Sequence, residues 1–70
     1  MKDIRRHDVF ILAKDLNSVI KKGMAGVILE ILDMDSFITE FVQSDGTNYS
    51  YGEEDTFIID KSFIEKIIHV

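Results

Sequence analysis

Residues 23–42 read GMAGVILEILDMDSFITEFV, and this stretch decides the fold. It holds two runs rich in β-branched, aliphatic and aromatic residues, which the short segment 33–36 separates, and it contains no proline. Such residues favour the pleated, half-buried surface of a strand. The stretch therefore predicts two adjacent antiparallel strands at the centre of a small all-β barrel.

The alternation of side chains along these two strands predicts which residues face the core. In both strands we expect the odd-numbered side chains to face it, so directly opposed residues must both be odd-numbered. Phe37 opposite Ile31 satisfies this condition, and so does Phe37 opposite Asp33. The second register would place Glu30 opposite Glu40, where like charges repel each other.

Glycines mark the turns around this pair of strands. Gly23 opens the first strand, where a glycine permits a positive φ, and Gly26 lies just inside it, where a glycine permits a bulge or a close approach of the backbone. Asp45 and Gly46 stand between two alternating runs, and this pair of residues predicts a tight hairpin turn.

The rest of the chain supplies the remaining elements of a single domain over residues 1–70. We expect a five-stranded, partly open antiparallel barrel with a short helical turn near the C-terminus. A first strand is predicted at 7–13, and a long connection follows at 14–22, in which the helical spacing of Leu16, Val19 and Ile20 predicts a helical turn. A fourth strand is predicted at 47–51, and extended structure at 56–59. The chain then forms a helical turn at 62–64 and a closing strand at 67–69. A C-terminal helix is the alternative for the last two elements.

Composition narrows the classes of protein to which the chain can belong. The chain contains no cysteine, so it offers neither disulfides nor thiolate ligands for zinc. The N-terminal residues are charged without an apolar signal segment, and no apolar run reaches the length of a membrane span. We therefore expect a cytoplasmic protein that does not bind membranes.

The charges are divided unevenly along the chain. Residues 23–60 contain no lysine or arginine and nine acidic residues, whereas residues 1–22 contain six basic and three acidic residues. An acidic surface repels phosphate backbones and attracts basic partners. The distribution predicts a basic protein partner and no nucleic acid, with solubility as the alternative role of the acidic residues.

Three segments together resemble a known family. Residues 22–30 (KGMAGVILE), residues 37–42 (FITEFV) and the Asp45-Gly46 pair resemble small uncharacterised bacterial proteins with an SH3-like barrel, over about residues 8–68. The pattern is also similar to the SH3-like barrel of the nitrile hydratase β subunit. The chain departs from it in Thr39, where the pattern prefers valine, and in the acidic residues 53–55. By analogy with small acidic proteins of this sort, the resemblance suggests an immunity-protein role.

Catalytic and metal chemistry find little support in the sequence. His7 and His69 stand near the two chain ends, and no serine is marked as a nucleophile. Glu30 and Glu40 could form a carboxylate pair, and residues 33–35 or 53–55 could offer oxygen ligands to a hard cation, but neither group has calcium-loop spacing. We expect no enzyme activity, no metal and no cofactor.

A binding surface is the remaining hypothesis. Ile28, Leu32, Ile38 and Val42 are predicted on the outer face of the central strands, where they would form an apolar strip among acidic residues. The alternative is that this chain, or a second copy in a homodimer, covers the strip. The predicted partner-binding residues are Glu30, Glu40, Asp45, Glu53, Glu54 and Asp55 for steering, and Ile38, Val42 and Tyr51 for anchoring.

The most concrete function that follows is an immunity or antitoxin-type inhibitor that neutralises a basic toxin, such as a nuclease. Acidic complementarity would speed association, and buried apolar anchors would slow dissociation. The alternative function is an accessory or scaffold subunit of a larger enzyme complex, as the similarity to nitrile hydratase implies.

Overall fold

The computed structural model describes residues 4–68, and these form one antiparallel sheet of five strands. The strands are β1 (Val9–Leu12), β2 (Ala25–Ile31), β3 (Ser36–Phe41), β4 (Phe57–Asp60) and β5 (Ile64–Ile68). Their order in the sheet is β4-β3-β2-β1-β5, and a single 3-10 turn (Lys61–Phe63) lies between β4 and β5. This arrangement confirms the predicted all-β, SH3-like barrel.

β2 and β3 pair at their connected ends in the first of the two predicted registers. Ile31 lies opposite Phe37, and Glu30 lies opposite Ile38. Glu40 instead pairs with a residue nearer the start of β2. The register that would have opposed the two glutamates is not formed, so they are not a directly opposed carboxylate pair.

The predicted core face of β2 is wrong over most of the strand. The register shifts between Ile28 and Glu30, so that Ile28 lies opposite Thr39 and an even-numbered residue faces an odd-numbered one. Ile28 is fully buried, although it was expected on the outer face, whereas Ala25 is exposed. The physical reason is a β-bulge, which adds one residue to one strand and moves every side chain beyond it to the other face.

Two aromatic rings of the core pack against each other and against the backbone at Gly26. The rings of Phe10 and Phe41 lie edge to face, with their centroids 5.6 Å apart. A Cβ atom on Gly26 would lie 2.6 Å from the Phe10 ring and 2.7 Å from the Phe41 ring. Gly26 therefore allows the close approach that its position predicts. The other buried apolar residues are Leu12, Ile20, Ile28, Phe37, Ile59 and Ile64.

The connection between β1 and β2 does not form the predicted helical turn. The Asn17 side-chain oxygen accepts hydrogen bonds from the backbone N–H groups of Val19 and Ile20, at 2.9 Å each. The Asp15 carboxylate accepts one from the N–H of Lys22 at 2.8 Å. These side-chain bonds replace the backbone bonds of a helix. The connection is nevertheless attached to the barrel, because Ile20 is fully buried.

Residues 42–56 differ from the prediction of a fourth strand at 47–51. Only two isolated bridges occur in this segment, Val42 with Asn48 and Tyr51 with Glu54. The predicted hairpin turn is confirmed, because Gly46 has a φ of 90° and the backbone closes around it. The segment therefore folds as two successive tight turns, and the strand beside β3 is β4.

The C-terminal segment follows the first of the two predicted alternatives. The 3-10 turn at Lys61–Phe63 leads directly into β5, and no C-terminal helix occurs in residues 61–68. The Asp60 side chain caps this turn by accepting hydrogen bonds from the backbone N–H and the hydroxyl of Ser62. The predicted end of the closing strand, at His69, lies outside the described residues.

Candidate partner-binding cleft

An open cleft with a volume of about 560 Å³ runs beside β4. Three parts of the chain supply its walls, namely the β1–β2 connection, the tight turn at 51–54 and the start of β4 with its neighbour on β3. The lining residues are Leu16, Asn17, Ile38, Tyr51, Glu54, Thr56, Phe57 and Ile58. We call this the Tyr51 cleft.

The Tyr51 cleft follows the edge of β4. Thr56, Phe57 and Ile58 are consecutive, and all three line the cleft. Ile38 of β3 also lines the cleft, so the cleft lies beside the edge strand and reaches the neighbouring strand. β4 is the last strand at its end of the sheet, so this edge carries no further strand in the described chain.

Two exposed apolar side chains line the Tyr51 cleft. Ile58 is 67% exposed and Tyr51 is 47% exposed, although both are large. Ile58 lies directly opposite the half-buried Ile38 in the register of β3 and β4. An apolar pair beside an exposed aromatic ring is typical of a surface that binds another molecule.

The acidic residues at the cleft are not neutralised within the protein. Glu53, Glu54 and Asp55 are adjacent and exposed, and none of them forms an ion pair within residues 4–68. Three acidic residues elsewhere do form ion pairs, namely Asp15 with Lys21, Asp35 with Lys61, and Glu30 with Arg6 at an N–O distance of 3.8 Å. The cleft therefore combines an apolar lining with an uncompensated negative rim, which we call the acidic rim (residues 53–55).

The structure places three of the nine predicted partner-binding residues in the cleft and two more next to one of them. Ile38, Tyr51 and Glu54 line the cleft, and Glu53 and Asp55 flank Glu54 on the same exposed loop. Ile38 comes from β3 and the other four residues from the loop at 51–55, so two separate parts of the sequence meet at one cleft. They form the core of the candidate site.

The other four predicted residues lie outside the cleft and have local partners. Glu30 pairs with Arg6, as above, and Glu40 accepts a hydrogen bond of 3.0 Å from the Asn48 side chain. Val42 is 41% exposed but belongs to the bridge with Asn48. The fourth residue, Asp45, has a structural role in its turn. The structure therefore gives none of the four a place in the cleft.

Asp45 illustrates why a charged turn residue need not be a binding residue. Its carboxylate accepts hydrogen bonds from the hydroxyl of Thr47 at 2.6 Å and from the backbone N–H of Thr47 at 2.9 Å. The hydroxyl bond, followed by the backbone bond, lowers the pKa of Asp45 below its ordinary value. The carboxylate therefore stabilises the turn on which it stands.

Sequence reasoning missed five residues of the cleft. Leu16 and Asn17 come from a connection that only the tertiary fold brings to β4, so no local pattern predicts them. The start of β4 was predicted as extended, but its place at the edge of the sheet was not. The missed residues are Leu16, Asn17, Thr56, Phe57 and Ile58.

The described chain offers no cluster for metal chemistry. Within residues 4–68, no group of three or more histidine, cysteine, aspartate or glutamate side chains is arranged to hold a metal ion. The same residues contain no helix that is both long enough and apolar enough to cross a membrane.

Comparison of the chain with protein-family models, with curated proteins and with solved structures gives no match. The class of the protein therefore follows from its strand order and its site. It is an SH3-like barrel with an acid-rimmed apolar cleft at the edge of β4.

Acid should destabilise the fold through carboxylates that accept hydrogen bonds. The bond from the Lys22 backbone N–H is the largest cause of the lowered pKa of Asp15, whose ordinary value is 3.8. As the pH falls, Asp15 is therefore protonated in the unfolded chain before it is protonated in the folded protein. The stability that the ionised Asp15 contributes is present above about pH 4 and is lost as the pH falls further. We expect the melting temperature to fall between about pH 5 and pH 2.5, and to fall less steeply for Asp15→Asn, which keeps the acceptor but does not titrate. Parallel curves for the two proteins would contradict this role of Asp15.

Proposed function

We propose that this protein is a non-catalytic binding module that holds a basic protein partner in the Tyr51 cleft. The observation that carries the proposal is that exposed apolar side chains and Glu54 line one cleft, and that Glu54 and its neighbours Glu53 and Asp55 form no ion pair within residues 4–68. Buried apolar anchors with a charged rim are the usual anatomy of a protein–protein interface. The net charge of −5 favours a partner of opposite charge.

The lining and the rim have separate roles in this proposal. Ile58 is 67% exposed, and its burial by a partner contributes about 1–2 kcal/mol to the free energy of binding. Tyr51 adds an aromatic anchor. Glu53, Glu54 and Asp55 raise the rate of encounter with a basic surface. The anchors therefore set the dissociation rate, and the rim sets the association rate.

The most concrete form of this function is an immunity or antitoxin-type inhibitor that acts in the bacterial cytoplasm. The cleft and its rim would occlude the basic surface with which a toxin such as a nuclease binds its substrate. The acidic rim supports this form because a nuclease carries a positive surface for phosphate. An accessory subunit of an enzyme complex is the alternative, and the identity of the partner distinguishes the two.

Capture from the native cell extract tests the proposal with a matched pair of variants. Ile58 and Met34 are both large and apolar, and they are 67% and 83% exposed, but only Ile58 lines the cleft. We expect a basic protein to be retained at low salt by the wild type and by Met34→Lys, and to be lost from Ile58→Lys. A partner that is toxic when expressed alone identifies an inhibitor, and subunits of a metabolic enzyme identify the accessory role. Equal retention by all three proteins, or no partner for any of them, would contradict the proposal.

Neutralising the acidic rim should slow association with the captured partner. We expect the triple variant Glu53→Gln, Glu54→Gln, Asp55→Asn to associate about 3- to 30-fold more slowly at low salt, with little change in the dissociation rate. The salt dependence of the association rate should also become flatter. Stopped-flow mixing over a range of salt concentrations measures both effects.

A control for this experiment carries the same change in net charge at sites outside the cleft. The control variant combines Asp33→Asn, Asp35→Asn and Glu65→Gln, which are exposed positions away from the cleft lining. We expect its association rate to stay closer to that of the wild type. If the two triple variants slow association equally, only the net charge steers the partner, and the rim has no local role.

A further inference from the structure

We infer that the partner occupies the Tyr51 cleft as an extended segment that adds as a further strand to the free edge of β4. This inference rests on the proposed function and names the mode of binding at the same site. The segment presents apolar side chains to the lining and a lysine or arginine to the acidic rim.

The first support is the free edge of the sheet. β4 pairs with β3 alone, through Phe57–Asp60 opposite Ser36 and the three residues that follow it. In an antiparallel pair, alternate residues direct their N–H and C=O groups away from the neighbouring strand. Two of the four β4 residues therefore direct their backbone hydrogen-bonding groups away from β3, at the free edge. Addition of a strand satisfies such groups.

The second support is the shape of the cleft. The start of β4 lines the cleft together with Leu16 and Asn17 from the β1–β2 connection. The cleft therefore lies between a strand edge and a loop, which is the place that an added strand takes. Four residues of β4 extend for about 13 Å, which sets the matching length of the segment at about four to six residues.

The third support is the position of the charges. The acidic rim (residues 53–55) ends two residues before β4 begins at Phe57, so it lies near one end of the free edge. The opposite strand edge of the sheet, β5, has no such rim, since its Glu65 is followed at once by Lys66. Charge complementarity therefore assigns a basic segment to the edge of β4 rather than to that of β5.

The chemistry of the occupant follows from these three observations. Apolar side chains recur at every second position, because alternate side chains of a strand face one side. A lysine or arginine stands at the end near the acidic rim. Proline is excluded from the paired positions, because it has no N–H group to donate.

Backbone-methylated peptides test the inference directly. The probe is the peptide Lys-Val-Lys-Ile-Lys-Val, with two further versions that are N-methylated at alternate residues, one at the odd and one at the even positions. An added strand donates hydrogen bonds to β4 from only one of these two sets. We expect one methylated version to bind at least 10-fold more weakly than the unmodified peptide and the other to bind within about 3-fold of it.

The readout is the change in backbone amide shifts and amide exchange during NMR titration of the full chain. We expect the changes to centre on Phe57–Asp60, to persist in Met34→Lys and to be lost in Ile58→Lys. Equal binding of all three peptides would overturn strand addition and leave the cleft as a site for side chains. No binding of the unmodified peptide up to 5 mM would also overturn it, and the capture experiment then decides independently whether the cleft binds a folded partner.

Discussion

Replacement of Gly26 by valine is expected to cost about 3 kcal/mol or more of folding free energy, and it should lower the melting temperature by more than about 10 °C. A Cβ atom alone would lie 2.6 Å from Phe10 and 2.7 Å from Phe41, and both rings are fully buried. The rings cannot move aside without opening the core, because they also contact each other. A domain of this size has a total stability of only about 4–10 kcal/mol.

The matched control for this substitution is the preceding residue. Ala25 lies on the same strand but is exposed, so we expect Ala25→Val to change the free energy of unfolding by less than about 0.5 kcal/mol. Urea denaturation followed by circular dichroism measures both variants. A melting temperature for Gly26→Val within a few degrees of the wild type would contradict the close ring approach at Gly26.

Truncation of Phe41 is the second substitution for which we expect a large effect. Phe41 is fully buried, and its ring centroid lies 5.6 Å from that of Phe10 and 6.1 Å from that of Phe57. Phe41→Ala removes both contacts and leaves a cavity, which costs about 3–5 kcal/mol. In a domain of this size, this corresponds to a fall in melting temperature of well over 10 °C.

Tyr51→Ala provides the comparison for Phe41→Ala, because it removes an aromatic ring that is 47% exposed. We expect it to cost less than about 1 kcal/mol of stability while it weakens binding of the partner. Calorimetric melting separates the two variants. If Phe41→Ala costs less than 1 kcal/mol, the aromatic cluster does not hold the barrel together.

Local patterns predicted the parts of this fold that depend on local chemistry. Gly46 and the residue before it predicted the hairpin turn, and the predicted positive φ at Gly23 is present, with a value of 91°. The β-bulge between Ile28 and Glu30 was not predictable, because both faces of β2 are rich in aliphatic residues. With no polar face to distinguish them, the alternation of side chains cannot reveal one extra residue.

The candidate site was predictable to the extent that its residues lie in distinctive sequence. The acidic rim is recognisable in the sequence because no cationic residue occurs between residues 23 and 60, and Tyr51 lies in the same segment. Ile58 does not stand out, since its neighbours Phe57 and Ile59 are also large and apolar. Its exposure results from the position of β4 at the edge of the sheet, which is a property of the tertiary fold.

Site-specific photo-crosslinking in living cells tests the central claim, that the Tyr51 cleft binds a basic protein, most directly. A photoreactive phenylalanine analogue replaces Ile58 in one variant and Met34 in the other, both of which are exposed apolar positions. We predict a discrete crosslinked product at position 58, absent at position 34, in which the partner is a protein with an excess of lysine and arginine. The same product from both positions, or no product from position 58, would contradict the claim.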